Sequence, residues 1–140
     1  MKIKRVDYRD TRTGWHLKNA CLDDFNLLVG VSGVGETKSV QALRTLQSFV
    51  LDSRVYDAAQ WEMDFEEGGH EYRWGGTTEA HPTGPDSFSR DPENGVRFVQ
   101  ESLTLDGAPL LTRTGDDVRL GSDRIPGLKS SSSSRATTLT

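Results

Sequence analysis

Apolar residues follow two periods along this chain, and the switch between them marks its elements. Ile3 and Val6 stand among basic residues in Met1–Asp7, which predicts a half-exposed strand. Asp10-Thr11-Arg12-Thr13-Gly14 is a turn cluster, and Trp15–Asn19 predicts a second strand closing a hairpin. Phe25-Asn26-Leu27-Leu28-Val29 is almost continuously apolar, the composition of a strand buried on both faces of a sheet. Gly30 to Glu36 then holds three glycines. From Thr37 the spacing becomes helical. Val40, Leu43, Leu46, Gln47 and Val50 lie three or four apart, and Asp52-Ser53 ends the helix predicted over Thr37–Leu51.

The remainder has period two. Trp61, Met63 and Phe65 alternate with Glu62, Asp64 and Glu66; Glu67-Gly68-Gly69 turns the chain, and Tyr72 and Trp74 continue on a returning strand. Thr77–Gly95 contains Pro82, Pro85 and Pro92 without periodicity, which predicts a long surface loop. Val96–Leu105 alternates again, Asp106-Gly107 is a strong hairpin signal, and Leu110–Arg113 is its return strand. Val118 and Leu120 suit one more short strand. Residues 129–140 include five consecutive serines and a single large apolar residue, Leu139. Such a segment cannot offset its own ordering entropy, so it is predicted to be a disordered tail behind a domain spanning 1–128. The fold class expected from these elements is α+β, a mixed or antiparallel sheet around one main helix.

Composition sharpens this only in places. A chain of 140 residues with 34% apolar content makes one domain with a thin core. No apolar run reaches membrane-spanning length, and MKIKRVDYRD has no apolar stretch of the secretory kind. Cys21 is alone, which excludes an internal disulfide and a cysteine-based zinc site and predicts a cytoplasmic setting. The net charge is -4, but it is unevenly spread. Residues 1–20 carry six basic side chains against two acidic ones, and residues 52–71 carry seven acidic ones against Arg54. Two solvated faces of one domain, or a basic end that meets nucleic acid or a partner, both fit that distribution.

Candidate chemistry concentrates in the glycine segment. Gly30-Val31-Ser32-Gly33-Val34-Gly35-Glu36-Thr37 fits the phosphate-loop pattern GxxxxGK[ST] at every fixed position but the lysine, where Glu36 stands. Glycines let backbone N–H groups turn toward a phosphate, and the following helix points its positive end at the same anion. The hydroxyl at Thr37 suits Mg²⁺. Glu36 opposes this: two like unit charges ~4 Å apart repel by roughly 4 kcal/mol at an effective dielectric of ~20.

With its flanks, Asp24-Phe25-Asn26-Leu27-Leu28-Val29-Gly30 and Ser32-Gly33-Val34-Gly35, this segment resembles the start of RecF/SMC/OLD-like ATPases, of the ABC-type AAA class. Residues 1–51 match that layout. The resemblance implies a P-loop NTPase (ABC ATPase) N-terminal lobe in which Gly30, Ser32, Gly33, Val34, Gly35, Glu36, Thr37 and Lys38 surround ATP. It also implies Thr37 as the Mg²⁺ ligand and Arg12 near the nucleotide. ATP and Mg²⁺ are then bound weakly or not at all because of Glu36. It further implies a second ATPase lobe or subunit as partner, and nucleic acid as a partner of the parent family, with no membrane role. The family's signature motif, Walker B acids and switch histidine have no counterpart here. Phe49-Val50-Leu51-Asp52 sits at the end of the loop's own helix, where a Walker B strand cannot be. The chain is therefore expected to be an N-terminal fragment with no catalytic residue, unable to hydrolyse ATP alone.

Other candidates carry less. His16, His70 and His81 lack metal-ligand spacing. Asp64 and Glu66 fall on the outer side of a strand, Ser32 has no His and Asp in a triad order, and Trp15, Trp61 and Trp74 suit a core. Two alternatives to the ATP-binding lobe stay open: a non-catalytic interaction module that binds a partner subunit or DNA, and the remnant of a disrupted gene.

Overall fold

The computed structural model describes residues 1–29, 31, 33, 35–51, 58–80, 96–121 and 123–125. Eight strands and one helix make up the described chain: β1 Lys2–Asp10, β2 His16–Cys21, α1 Glu36–Leu51, β3 Ala59–Glu67, β4 His70–Ala80, β5 Val96–Leu105, β6 Ala108–Thr114, β7 Asp117–Leu120 and β8 Asp123–Ile125. They form a single sheet in the order β2-β1-β3-β4-β5-β6-β7-β8. Every neighbouring pair is antiparallel. The Asp106-Gly107 turn has φ of 48° and 83°, the double left-handed geometry that lets a two-residue loop follow strand twist.

This sheet corrects the expected fold. A P-loop NTPase lobe places the strand before the loop inside a parallel sheet, with helices on its faces. Here Phe25–Val29 belongs to no strand, the ladders are wholly antiparallel rather than mixed, and the one described helix lies against one face of the sheet. The physical reason is connectivity. From β3 onward each strand is followed in the sheet by its sequence neighbour, and the described turns at 68–69, 106–107 and 115–116 are too short for a parallel crossover. The connection from β2 to β3 carries α1 past β1.

The core lies where α1 meets the sheet. Ala42, Leu46 and Phe49 of the helix join Val6, Tyr8, Ala59, Trp61, Met63 and Trp74 of β1, β3 and β4. Phe49 and Trp61 have ring centroids 5.1 Å apart, and Trp61 and Trp74 5.2 Å. This shifts the buried stripe of α1 from the one its spacing predicts. Val40 and Val50 are half-exposed, whereas Phe49 and Ala42 are buried. An aromatic-rich sheet face draws the helix onto its one aromatic side chain, and the valines turn outward.

Thr77–Ala80, expected in a loop, continues β4 and pairs with β5 across a register shift at Thr77/Thr78. β8 extends the sheet past the last expected strand. The remainder of the expected loop (81–95), the helix stop at Asp52-Ser53, His81 and the tail 129–140 fall outside the described residues.

The charge asymmetry of the sequence is resolved by the pairing of β1 with β3. Arg5 Nε donates to Asp64 Oδ2 at 2.8 Å and its other nitrogens to Glu62 and Asn19. Arg73 donates to Asp64 Oδ1 at 2.8 Å, and Lys4 pairs with Glu66. Burial pushes the Asp64 carboxyl up, but hydrogen bonds from Arg73 and Arg5 outweigh it and hold it below the usual carboxylate range. Basic residues of the first strand thus meet the acidic residues of the third within one molecule.

Candidate functional site

The chain leaves β2 tied to the sheet. Leu22 N–H donates to the Lys4 carbonyl, Lys2 pairs with Asp24 at 2.7 Å, and the Asn26 side chain bonds the Asp23 backbone in both directions. Beyond that anchor, Phe25, Leu27, Leu28 and Val29 join no ladder and stand 83%, 76%, 52% and 80% exposed. The buried strand expected here is overturned: its apolar faces have no sheet to enter among the described residues.

Of the loop, Gly33, Gly35, Glu36, Thr37 and Lys38 are described, whereas Gly30, Ser32 and Val34 are not. Gly33 and Gly35 have φ of 85° and 138°, conformations that only glycine adopts without strain. Gly35 caps α1: its carbonyl accepts from Ser39 N–H and from Ser39 Oγ, each at 2.9 Å. Glu36, Thr37 and Lys38 form the first turn, whose N–H groups have no intrahelical partner. The helix dipole favours an anion there, and Glu36 supplies one, worth about 0.3–1 kcal/mol to the empty protein.

Beside this turn lies an open cleft of about 480 Å³ between α1 and the β1–β2 turn. Lys38, Gln41, Arg44, Thr45 and Ser48 line the helix side, and Tyr8, Asp10, Thr13 and Trp15 the sheet side. Lys38, Gln41, Thr45 and Ser48 recur at i, i+3, i+7 and i+10, and Arg44 stands beside this polar stripe. Trp15 stacks obliquely on Tyr8 and reaches Gly35; a Cβ at that glycine would stand 3.4 Å from Trp15 Nε1. Asp10 is spent on the turn itself, its carboxylate accepting from the N–H groups of Arg12 and Thr13 at 2.8 and 3.2 Å. Burial pushes that carboxyl up, and these donors more than offset it, holding it low.

Arg12 stands on the same β1–β2 turn, exposed, while Lys38 enters the cleft directly. The structure thus places Lys38 and the glycine cap around one opening. Arg44 and Gln41 join them without having been singled out by sequence, as does Trp15, expected in the core and here partly buried at the cleft wall; the polar 3–4 spacing of Lys38, Gln41, Arg44 and Thr45 was the available signal for the helix side. Such a site can offer unpaired amides, a hydroxyl and cations to an anion, with an indole alongside. Asp10, the acid among its described lining residues, is already engaged by its own turn.

His16 and His70 are engaged elsewhere. His16 Nε2 and Asp7 Oδ1 are 2.8 Å apart, and His70 Nδ1 and Asp106 Oδ2 2.7 Å. Among the described residues no group of three or more His, Cys, Asp and Glu side chains could hold a metal, and no helix is long and apolar enough to cross a membrane. Compared with protein-family models, with curated proteins and with solved structures, the chain matches none.

Proposed function

We propose that Gly30–Lys38 holds the phosphates of an Mg²⁺–nucleotide weakly, and that the chain is a cytoplasmic, hydrolysis-deficient ATP-binding unit. Its kinship with RecF/SMC/OLD-like ATPases is proposed for the loop and its flanks, residues 24–37, and not for the sheet. The observation that carries this is the junction at Gly35. A loop with two glycines in left-handed geometry runs directly into a 16-residue helix, beside a cleft lined by Lys38 and Arg44. Backbone amides of the first turn would take the phosphate, and the Thr37 hydroxyl would take Mg²⁺. Glu36 weakens both by placing a carboxylate where the pattern has an ammonium.

On this reading the chain does not hydrolyse ATP, because Glu36 stands where the loop pattern has its phosphate-neutralising lysine, and Asp10, the acid that lines the cleft, is spent on its own turn. The test is a titration of Mg–ATP followed by Trp15 fluorescence, paired with an ATPase assay. Saturable quenching that disappears in Thr37→Ala, without turnover above that control, is the expected outcome. Turnover above the control contradicts it.

The chain also reads as a non-catalytic interaction module. The exposed apolar segment Phe25–Val29 favours this, because large contiguous apolar surface on a folded chain marks a contact. A nucleic-acid partner is less well served, since Arg5 and Lys4 of the basic strand already pair with acids of β3.

A further inference from the structure

We propose that the nucleoside of the bound nucleotide lies along α1 in the cleft, and that Gln41 is the residue that reads the edge of its base. The inference deepens the nucleotide reading and rests on it for the phosphates alone. At 3.6 residues per turn, Gln41, Thr45 and Ser48 share roughly 60° of the helix circumference, one polar wall running away from the glycine loop. Lys38 stands on the shoulder of that wall toward the buried Ala42 and Phe49, and Arg44 on the outward shoulder. Loop and cleft are continuous. Gly35, where the loop enters the helix, lies against Trp15, and Trp15 lines the cleft. A ligand whose phosphates meet the first turn can therefore lay its remaining body against this wall. The cleft volume of about 480 Å³ is that of a small-molecule site.

Unused hydrogen-bonding capacity picks out Gln41. Ser48 Oγ donates to the Thr45 carbonyl at 2.7 Å, and Thr13 Oγ accepts from Trp15 N–H at 3.3 Å. Thr45 is engaged as well, and Asp10 is held by its own turn. The side chains of Lys38, Gln41 and Arg44 make no hydrogen bond or ion pair among the described residues. Arg5, Arg73 and Arg97 of the sheet, by contrast, each meet a carboxylate. The cleft thus keeps two cations and one carboxamide in reserve on the same side.

The chemistry of each sorts the ligand. Lys38, beside the loop, can serve only an anion or another acceptor. A carboxamide sets a donor beside an acceptor, the pattern that an adenine edge answers at two points. Asp10 argues against a longer polyanion. Further phosphates along the cleft would meet its like charge, whereas a neutral base and ribose would not. Tyr8 and Trp15 make the facing wall aromatic, with ring centroids 6.5 Å apart, and leave the polar edge of a heterocycle to the helix.

Ligand-observed NMR of the full chain with Mg–ATP, Mg–tripolyphosphate and adenosine tests this. Mg–ATP is expected to bind about tenfold or more tightly than Mg–tripolyphosphate, with saturation transferred from the protein to the base protons. Gln41→Ala should remove that advantage and leave tripolyphosphate binding unchanged. Gln41 is exposed, so the variant keeps its circular dichroism and melting temperature. Gln47→Ala, on another face of the same helix, should change neither affinity. Equal binding of Mg–ATP and Mg–tripolyphosphate by the parent chain overturns the inference, and so does an equal loss of both in Gln41→Ala. Adenosine binding that needs Gln41, without tripolyphosphate binding, upholds the cleft and overturns the phosphate loop. Binding of none of the three overturns both.

Discussion

At the scale of single residues, two positions hold the sheet together in ways that composition hides. Gly76 faces Trp61 across the β3–β4 ladder, and a Cβ there would lie 2.7 Å from both the indole ring and the Gln100 carbonyl. No backbone carbonyl moves aside cheaply, so Gly76→Ala is expected to cost about 1–3 kcal/mol, read as a lower urea midpoint with unchanged slope. Thr78 is almost fully buried where β4 slips register, and its hydroxyl accepts from Ala59 N–H at 2.9 Å. Thr78→Val keeps the shape and orphans that amide, for an expected loss of about 1–3 kcal/mol; Thr78→Ser, which restores the acceptor, should recover part of it. Neither role was legible in the sequence. Thr78 fell in the loop expected over Thr77–Gly95 and Gly76 carried no signal, and only the register of β4 between β3 and β5 gives them their tasks.

Among the elements, hairpins and alternating strands were the most legible and the helix face the least. Trp61, Met63 and Phe65 point to one side of β3 because a strand has only two sides, and the period fixes which residues share one. A helix offers a continuum of faces, and α1 carries two apolar stripes. The sheet chose the one with Phe49, whose ring meets Trp61 and Phe98. Phe49→Ala is therefore expected to lose about 3–5 kcal/mol, whereas Val50→Ala stays within about 0.5 kcal/mol, by chemical denaturation of each. Equal losses would restore the stripe predicted by spacing. The β1–β3 seam has its own pH signature. Asp64 is held below its unfolded value by Arg73 and Arg5 against the opposing effect of burial, so its contribution is complete above the carboxylate range. That contribution drains away as pH falls through the folded value. Asp64→Asn should lower stability at neutral pH by about 1–2 kcal/mol and flatten the acid limb of the stability curve, with little difference from the parent at low pH.

For the whole molecule, the strand expected from Phe25–Val29 is the main departure of structure from sequence, and its cause is an absent neighbour. An apolar run can specify a buried strand only where another strand receives it, and Phe25–Val29 pairs in none of the ladders from β2 to β8. The glycine loop shows the converse. Its composition placed it correctly before a helix, but the cleft partners Trp15 and Arg44 come from folding, which lays the β1–β2 turn against α1. The central claim is that this junction holds a triphosphate and that Glu36 limits it. Paired calorimetry of the parent chain and Glu36→Lys with Mg–ATP tests it most directly. Lysine removes a repulsion and adds an attraction, so the variant should bind about a hundredfold more tightly, a difference of ~2.7 kcal/mol, with a slightly lower melting temperature when empty because the helix dipole prefers glutamate. Equal affinities, or no heat from either form, would contradict the claim and leave Gly30–Thr37 as a turn between strand β2 and helix α1.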